Sequence, residues 1–221
     1  MRRTTPTEFV LAHTRVRPAP FVPELRLHLA DDSIELWEAT QVAVERGAIP
    51  PPFWAFVWAG GQALARHVLD LPATVQGRTV VDVATGSGLV AIASARAGAA
   101  AVTAYDVDEL AVAAARLNIS LNNVNVSAAT ADVADLEATA GTLVTVGDVF
   151  YDEGIAAQML PALQRFAAAG AEVLVGDPHR AYLPIDALEP LASYDVEVET
   201  DIEDAPVKPA VVARLRSSQR R

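Results

Sequence analysis

Val80-Val81-Asp82-Val83-Ala84-Thr85-Gly86-Ser87-Gly88 decides the reading of this chain. A short β-rich apolar run enters a turn with two glycines and continues into Ala-rich sequence of helical character. Gly86 and Gly88 open backbone angles closed to other residues and let a ligand approach the main chain. The start of the helix offers N–H groups without intrahelical partners. In an open α/β sheet, ligands collect outside the carboxyl ends of the strands, where the strand order reverses.

Downstream, short apolar runs keep alternating with Ala-rich helical runs, which predicts βα units and an α/β fold with a mostly parallel sheet. The expected elements are a strand at Thr79–Val83, a helix at Gly88–Ala97 stopped by Gly98, a strand at Ala101–Tyr105, and a helix capped by Asp108 and running to about Leu121. Strands follow at Val124–Ala129 and Leu143–Val149, and then a helix at Glu153–Ala169 with a kink or break at Pro161. A strand at Glu172–Val175, a short helix at Ile185–Leu191 and a closing antiparallel hairpin of Asp195–Thr200 with Ala210–Leu215 complete the pattern.

Upstream, residues 1–75 read as an N-terminal extension of the same domain whose core is 76–221. They hold all three tryptophans (Trp37, Trp54, Trp58) and the cluster Pro50-Pro51-Pro52. The length of 221 residues and the 52% hydrophobic content suffice for a sizeable core. No uninterrupted run of about twenty apolar residues predicts a membrane-spanning helix. The absence of cysteine excludes disulfides, thiolate catalysis and cysteine metal sites. The four histidines show no metal-ligand spacing. A net charge of -11 disfavours nucleic-acid phosphates and anionic membranes. Met1-Arg2-Arg3 is followed by Glu8 and by no long apolar stretch, so no secretory signal is expected and the cytoplasm is the default location.

Asp106 lies roughly twenty residues beyond the glycines, the interval expected of a ribose-binding acid. Glycine turn and acid together suggest a nucleoside-containing cofactor. Gly86-x-Gly88-x-x-Ala91 also fits a relaxed dinucleotide fingerprint, which keeps a nicotinamide-dependent oxidoreductase open. Asp82 weighs against it: an acid just before the turn would repel a pyrophosphate but suit a cationic amino-acid portion. Its plainer role is to hydrogen-bond the turn.

These residues resemble the seven-strand class I methyltransferases, with Asp82 to Gly88 as the first motif and Asp106 as the ribose acid. Pro51-Pro52-Phe53-Trp54-Ala55-Phe56-Val57-Trp58-Ala59-Gly60-Gly61-Gln62 is similar to the segment before that motif in the family-16 protein methyltransferases, above all the electron-transfer-flavoprotein β-subunit lysine methyltransferases and their bacterial relatives. Asp148-Val149-Phe150-Tyr151 fits that family's Asp/Glu-x-x-Tyr/Phe motif, and Gly176-Asp177-Pro178-His179-Arg180 its Gly-Asp-Pro-x-Arg stretch. Ala84 departs from the family in standing where the first motif usually has its first glycine.

The resemblance implies a Rossmann-like seven-strand sheet, S-adenosyl-L-methionine as cofactor and methyl transfer to a protein lysine, with an electron transfer flavoprotein β-subunit as candidate partner. It implies Trp58, Gly61, Asp82, Ala84, Gly86, Gly88, Asp106 and Asp132 as cofactor-binding residues, and Asp148 and Tyr151 as catalytic. Read without it, Asp148-x-x-Tyr151 is a helix cap with a packed ring, Asp132 a surface acid, Trp54 and Trp58 core, and His179 an exposed loop residue. A small-molecule N-methyltransferase and a non-catalytic scaffold are the other readings compatible with this fold.

Overall fold

The computed structural model describes residues 4–31, 52–198 and 205–217. Trp37, Pro50, Pro51 and the expected strand end at 199–200 lie outside the described residues. Helix α1 (Pro6–His13) precedes a hairpin of β1 (Arg15–Ala19) and β2 (Val22–Leu29). Then come α2 (Ala59–Asp70), β3 (Thr79–Val83), α3 (Leu89–Arg96), β4 (Ala101–Asp106), α4 (Glu109–Leu121) and β5 (Ser127–Thr130). They are followed by β6 (Leu143–Gly147), α5 (Glu153–Ala168), β7 (Glu172–Asp177), β8 (Leu188–Glu197) and β9 (Val207–Leu215).

Strands β3 to β9 form one seven-stranded sheet in the order β5-β4-β3-β6-β7-β9-β8. The first five in that order are parallel, and β9 runs antiparallel to both β7 and β8. The chain winds outward from β3 to β5 and then returns to β6, so the order reverses between β3 and β6. A crevice at their carboxyl ends follows from that reversal. No helix among the described residues is long and apolar enough to cross a membrane.

Both sheet faces are buried, which is why the central strands are mostly apolar, with Asp82 in β3 and Thr145 in β6 as buried polar exceptions. Val80, Leu143 and Leu174 pack with Leu64, Ile92 and Ile119 on one face. Val144, Val146, Val173 and Val175 pack with Leu163 and Phe166 of α5 on the other. Leu25, Leu27 and Leu29 of β2 join the first of these cores.

The β1–β2 hairpin is also held by polar side chains. Asn118 on α4 and Asn122, four residues on at its C-terminal cap, accept the N–H groups of His28 and Arg26, two residues apart on β2. Four helical residues rise about 6 Å and two strand residues about 6.6 Å, so the spacings match. Asn118 is buried and also donates to the Ser87 carbonyl at 2.8 Å, tying hairpin, helix and glycine turn together.

Two expected elements differ. Pro161 does not break α5, which runs continuously from Glu153 to Ala168. Pro161 and Ala157, whose carbonyl loses its intrahelical donor, are both exposed, so water can serve that carbonyl. The helix expected at Ile185–Leu191 is a single 3₁₀ turn, Ile185–Ala187, running into β8. Pro190 is tolerated there because β8 is the sheet edge, where a missing N–H costs no internal bond.

The start of α2 sits directly on the ends of β6 and β7. A Cβ at Gly176 would lie 2.2 Å from the Gly60 carbonyl oxygen, and one at Gly147 would lie 2.9 Å from the Gly61 Cα. Only glycines permit this approach. Gly176→Ala is expected to lower stability by about 1–3 kcal/mol through forced separation of α2 from the sheet. Urea unfolding checks it; an unchanged midpoint contradicts the contact.

Candidate active site

The glycine turn after β3 forms one wall of the crevice. Ala84, Gly86 and Gly88 all have positive φ, at 52°, 51° and 83°. Ala84 therefore occupies a conformation that costs an L-residue roughly 1–2 kcal/mol, which is the physical reason glycine suits this place. Asp106 braces the turn: its Oδ2 accepts the Gly86 N–H at 2.9 Å and its Oδ1 the Asp108 N–H at 3.1 Å. Burial pushes the Asp106 carboxyl above its ordinary range. Gly88 does not line the crevice. A Cβ there would lie 3.2 Å from Ala115 Cα, so its smallness serves the packing of α3 against α4.

Asp82 is buried beside β6, with Thr145 as its cross-strand neighbour. The hydroxyls of Thr145 and Thr85 donate to its Oδ1 and Oδ2, each at 2.6 Å. Burial nonetheless pushes its pKa up to about 6, since two neutral donors do not replace lost water. A cation entering the crevice would stabilise its ionised form.

The opposite wall comes from the bend after β6. Asp148 is 9% exposed and has φ 54°, a second strained position at a central strand end. It does not cap the helix that follows it; Asp152 does, accepting the Ile155 N–H at 3.0 Å. Asp148 serves α2 instead. No side chain caps α2 at Trp58, and the Gly61 N–H donates to Asp148 Oδ2 at 2.7 Å. Asp148 Oδ1 accepts from Arg180 Nη2 at 3.2 Å. Burial, the dominant influence, pushes its pKa up to about 7 against the lowering pull of Arg180 and the Gly61 N–H.

Aromatic rings close this end. Phe53 meets Tyr151 at 5.1 Å and Trp58 at 5.7 Å between centroids. Trp58 Nε1 donates to the Phe53 carbonyl at 3.0 Å, and the Arg180 guanidinium lies 5.6 Å from the Trp58 ring centre. Tyr151 is 39% exposed at the mouth, and Asp132 is exposed, with Oδ1 accepting the Ala134 N–H at 2.8 Å.

Trp58, Gly61, Asp82, Ala84, Gly86, Asp106, Asp132, Asp148 and Tyr151 thus share one cavity of about 500 Å³, a volume usual for small-molecule sites. Trp54 lines it too, with a buried Nε1–H that has no acceptor among the described residues. Exposed His179 is not on its wall. Sequence reading assigned no role to Thr85, Thr145 or Arg180. Arg180 stood in the Gly-Asp-Pro-x-Arg stretch, and Thr145 was legible only as a polar residue in an apolar strand.

Residues 65–171 match the family profile described as ribosomal protein L11 methyltransferase (PrmA). The electron transfer flavoprotein beta subunit lysine methyltransferase of Xenopus laevis is 36% identical over 91% of this chain and 83% of its own length. That of Danio rerio is 36% identical over 78% of this chain and 67% of its own. The chain belongs to this methyltransferase family. The fold agrees with the solved structure of magnesium protoporphyrin IX methyltransferase (ChlM) from Synechocystis with bound SAM. That likeness has a TM-score of 0.51 at 18% identity and covers 71% of this chain and 80% of that one.

The protein is accordingly an S-adenosylmethionine-dependent methyltransferase, and the nicotinamide alternative falls. The residues present fit that cofactor. Asp82 is a buried acid on the wall whose ionised form gains from a cation, Asp106 stands at the end of β4, and the wall between them is largely apolar.

Asp106→Ala removes both the brace of the Gly86 turn and the acid at the end of β4. S-adenosylhomocysteine affinity is expected to fall at least about tenfold by calorimetry, the loss of one charged hydrogen-bonding group. Unchanged affinity would contradict the assignment. Asp148 holds its proton more tightly when folded, about 7, than an ordinary carboxyl does. The wild type should therefore lose stability relative to Asp148→Asn as pH rises from about 4 through about 7. Urea unfolding across that range checks this, and a constant difference would refute it.

Proposed function

We propose that this chain transfers a methyl group from S-adenosylmethionine to a lysine ε-amine of an electron transfer flavoprotein β subunit. The substrate named for its relatives supports the acceptor, and the net charge of -11 supports a protein partner over a nucleic acid. One observation carries the reading: Asp148 is anchored on two sides and lines the same cavity as Asp82 and Asp106.

In this reading Trp58, Gly61, Asp82, Ala84, Gly86, Asp106 and Asp132 surround the cofactor, with Asp82 toward its cationic amino-acid portion. The cofactor supplies a methyl group made electrophilic by a positively charged sulfur. Asp148 and Tyr151 hold the amine by hydrogen bonds so that its lone pair faces the methyl group. Transfer to the amine lone pair would release a neutral thioether, with the proton given up beforehand passing to water. Phe53, Trp58 and Tyr151 keep the amine in a poorly solvated setting, which favours its neutral form. Catalysis is then chiefly positioning.

Asp148→Ala is expected to slow methyl transfer to purified flavoprotein β subunit by about 100-fold or more, the usual scale for removing a positioned catalytic group. S-adenosylhomocysteine affinity should stay within about threefold. A fully active variant would remove Asp148 from the mechanism. Preferential methylation of small amines by the wild type would remove the protein substrate.

A further inference from the structure

A carboxylate beside a lysine creates a difficulty. An ionised acid stabilises the ammonium, whereas the reaction needs the amine. The structure places a permanent cation against that acid. Arg180 Nη2 donates to Asp148 Oδ1 at 3.2 Å, while the other oxygen takes the Gly61 N–H. A guanidinium stays protonated throughout the working pH range.

We infer that Arg180 is a positioning residue for methyl transfer, holding Asp148 in place and offsetting its charge so that the substrate amine can stay neutral beside it. The inference rests on the proposed role of Asp148 at the amine. Two features fix Arg180 apart from Asp148 itself. Its backbone N–H donates to Asp177 Oδ1 at 2.6 Å, closing a tight bend through His179 at φ 62°. Its guanidinium lies 5.6 Å from the Trp58 ring centre, within cation–π range.

The surrounding charges leave Arg180 as the counterion. From the end of β7, Asp177 acts in the opposite sense and pushes the Asp148 carboxyl up, while His179, in the loop that follows, acts on Asp177. From the loop after β6 come the phenol of Tyr151 and the carboxylate of Asp152, and Asp106 acts on Tyr151 from β4. The first turn of α2 brings the Gly61 N–H and no acidic side chain. The Asp148–Arg180 pair has no net charge when both are ionised. An amine entering beside it meets an acceptor for its N–H groups without a full negative charge holding its extra proton. Without Arg180, the group formed by Asp148 and the lysine would bind one more proton at neutral pH.

The test compares wild type, Arg180→Gln and Arg180→Lys, each first shown by calorimetry to bind S-adenosylhomocysteine. Single-turnover methyl transfer to saturating flavoprotein β subunit is measured from about pH 6 to about pH 10. Such a profile reports the groups in the bound complex. Arg180→Gln should move the acid limb up by about one pH unit or more, the shift expected on losing a nearby opposite charge. Its rate near pH 7 should fall about tenfold and recover at high pH. Arg180→Lys, which keeps the charge, should retain most of the wild-type limb.

A loss in Arg180→Gln by the same factor at every pH overturns the inference, because a merely structural role would produce it. An Asp148 carboxyl carbon signal that titrates at the same pH in wild type and Arg180→Gln also overturns it, and this measurement needs no acceptor. The Asp148→Ala protein separates the two readings. If it is active, the role of Asp148 at the amine fails; if it is inactive while the Arg180→Gln limb stays put, only the role of Arg180 fails.

Discussion

The first turn of α2 resting on the glycine ends of β6 and β7 is the contact on which the site depends. Gly60 and Gly61 meet Gly147 and Gly176 closely enough that a single methyl group would intrude. This approach brings the uncapped N–H of Gly61 to the Asp148 carboxylate. The partial positive charge of a helix start favours an anion there by about 0.3–1 kcal/mol or more. One packing contact thus positions the acid, orients Trp58 at the helix start and ties the sequence before β3 to the sheet.

Charge is distributed in the crevice in two parts. The β3 side carries Asp82, buried and held by two threonine hydroxyls, with no cation paired to it among the described residues. The β6 side carries Asp148, also buried but paired with Arg180. The difference suits the two tasks of the proposed function, in which one acid receives a cationic group and the other accepts N–H groups without fixing a proton on the nitrogen. Strained backbone marks both sides, at Ala84 and Asp148.

Much of this was legible in the sequence because it rests on local patterns. The run from Val80 to Gly88 specified a strand, a turn and a helix start, and Asp108 capped α4 as expected, accepting the Leu110 N–H. The apolar alternation after Thr79 gave the parallel sheet. What stayed hidden was contact between distant residues. Asp148 looked like a cap for the helix beside it, yet it serves α2, 87 positions away. Asn118 on α4 is a buried bridge from β2 to Ser87, a contact that no local pattern announces. Gly88 belonged to the motif but packs on Ala115 behind the crevice. The start of β8, expected as a short helix, accommodates Pro190 because the sheet order puts that strand at the edge.

The most direct test of the central claim is a crystal structure with S-adenosylhomocysteine bound. The account predicts the ribose hydroxyls at Asp106, the amino group on the Asp82 side, and Asp148 still joined to Gly61 and Arg180 beside the sulfur. A nucleoside bound elsewhere, or a crevice closed by its own side chains, would contradict it.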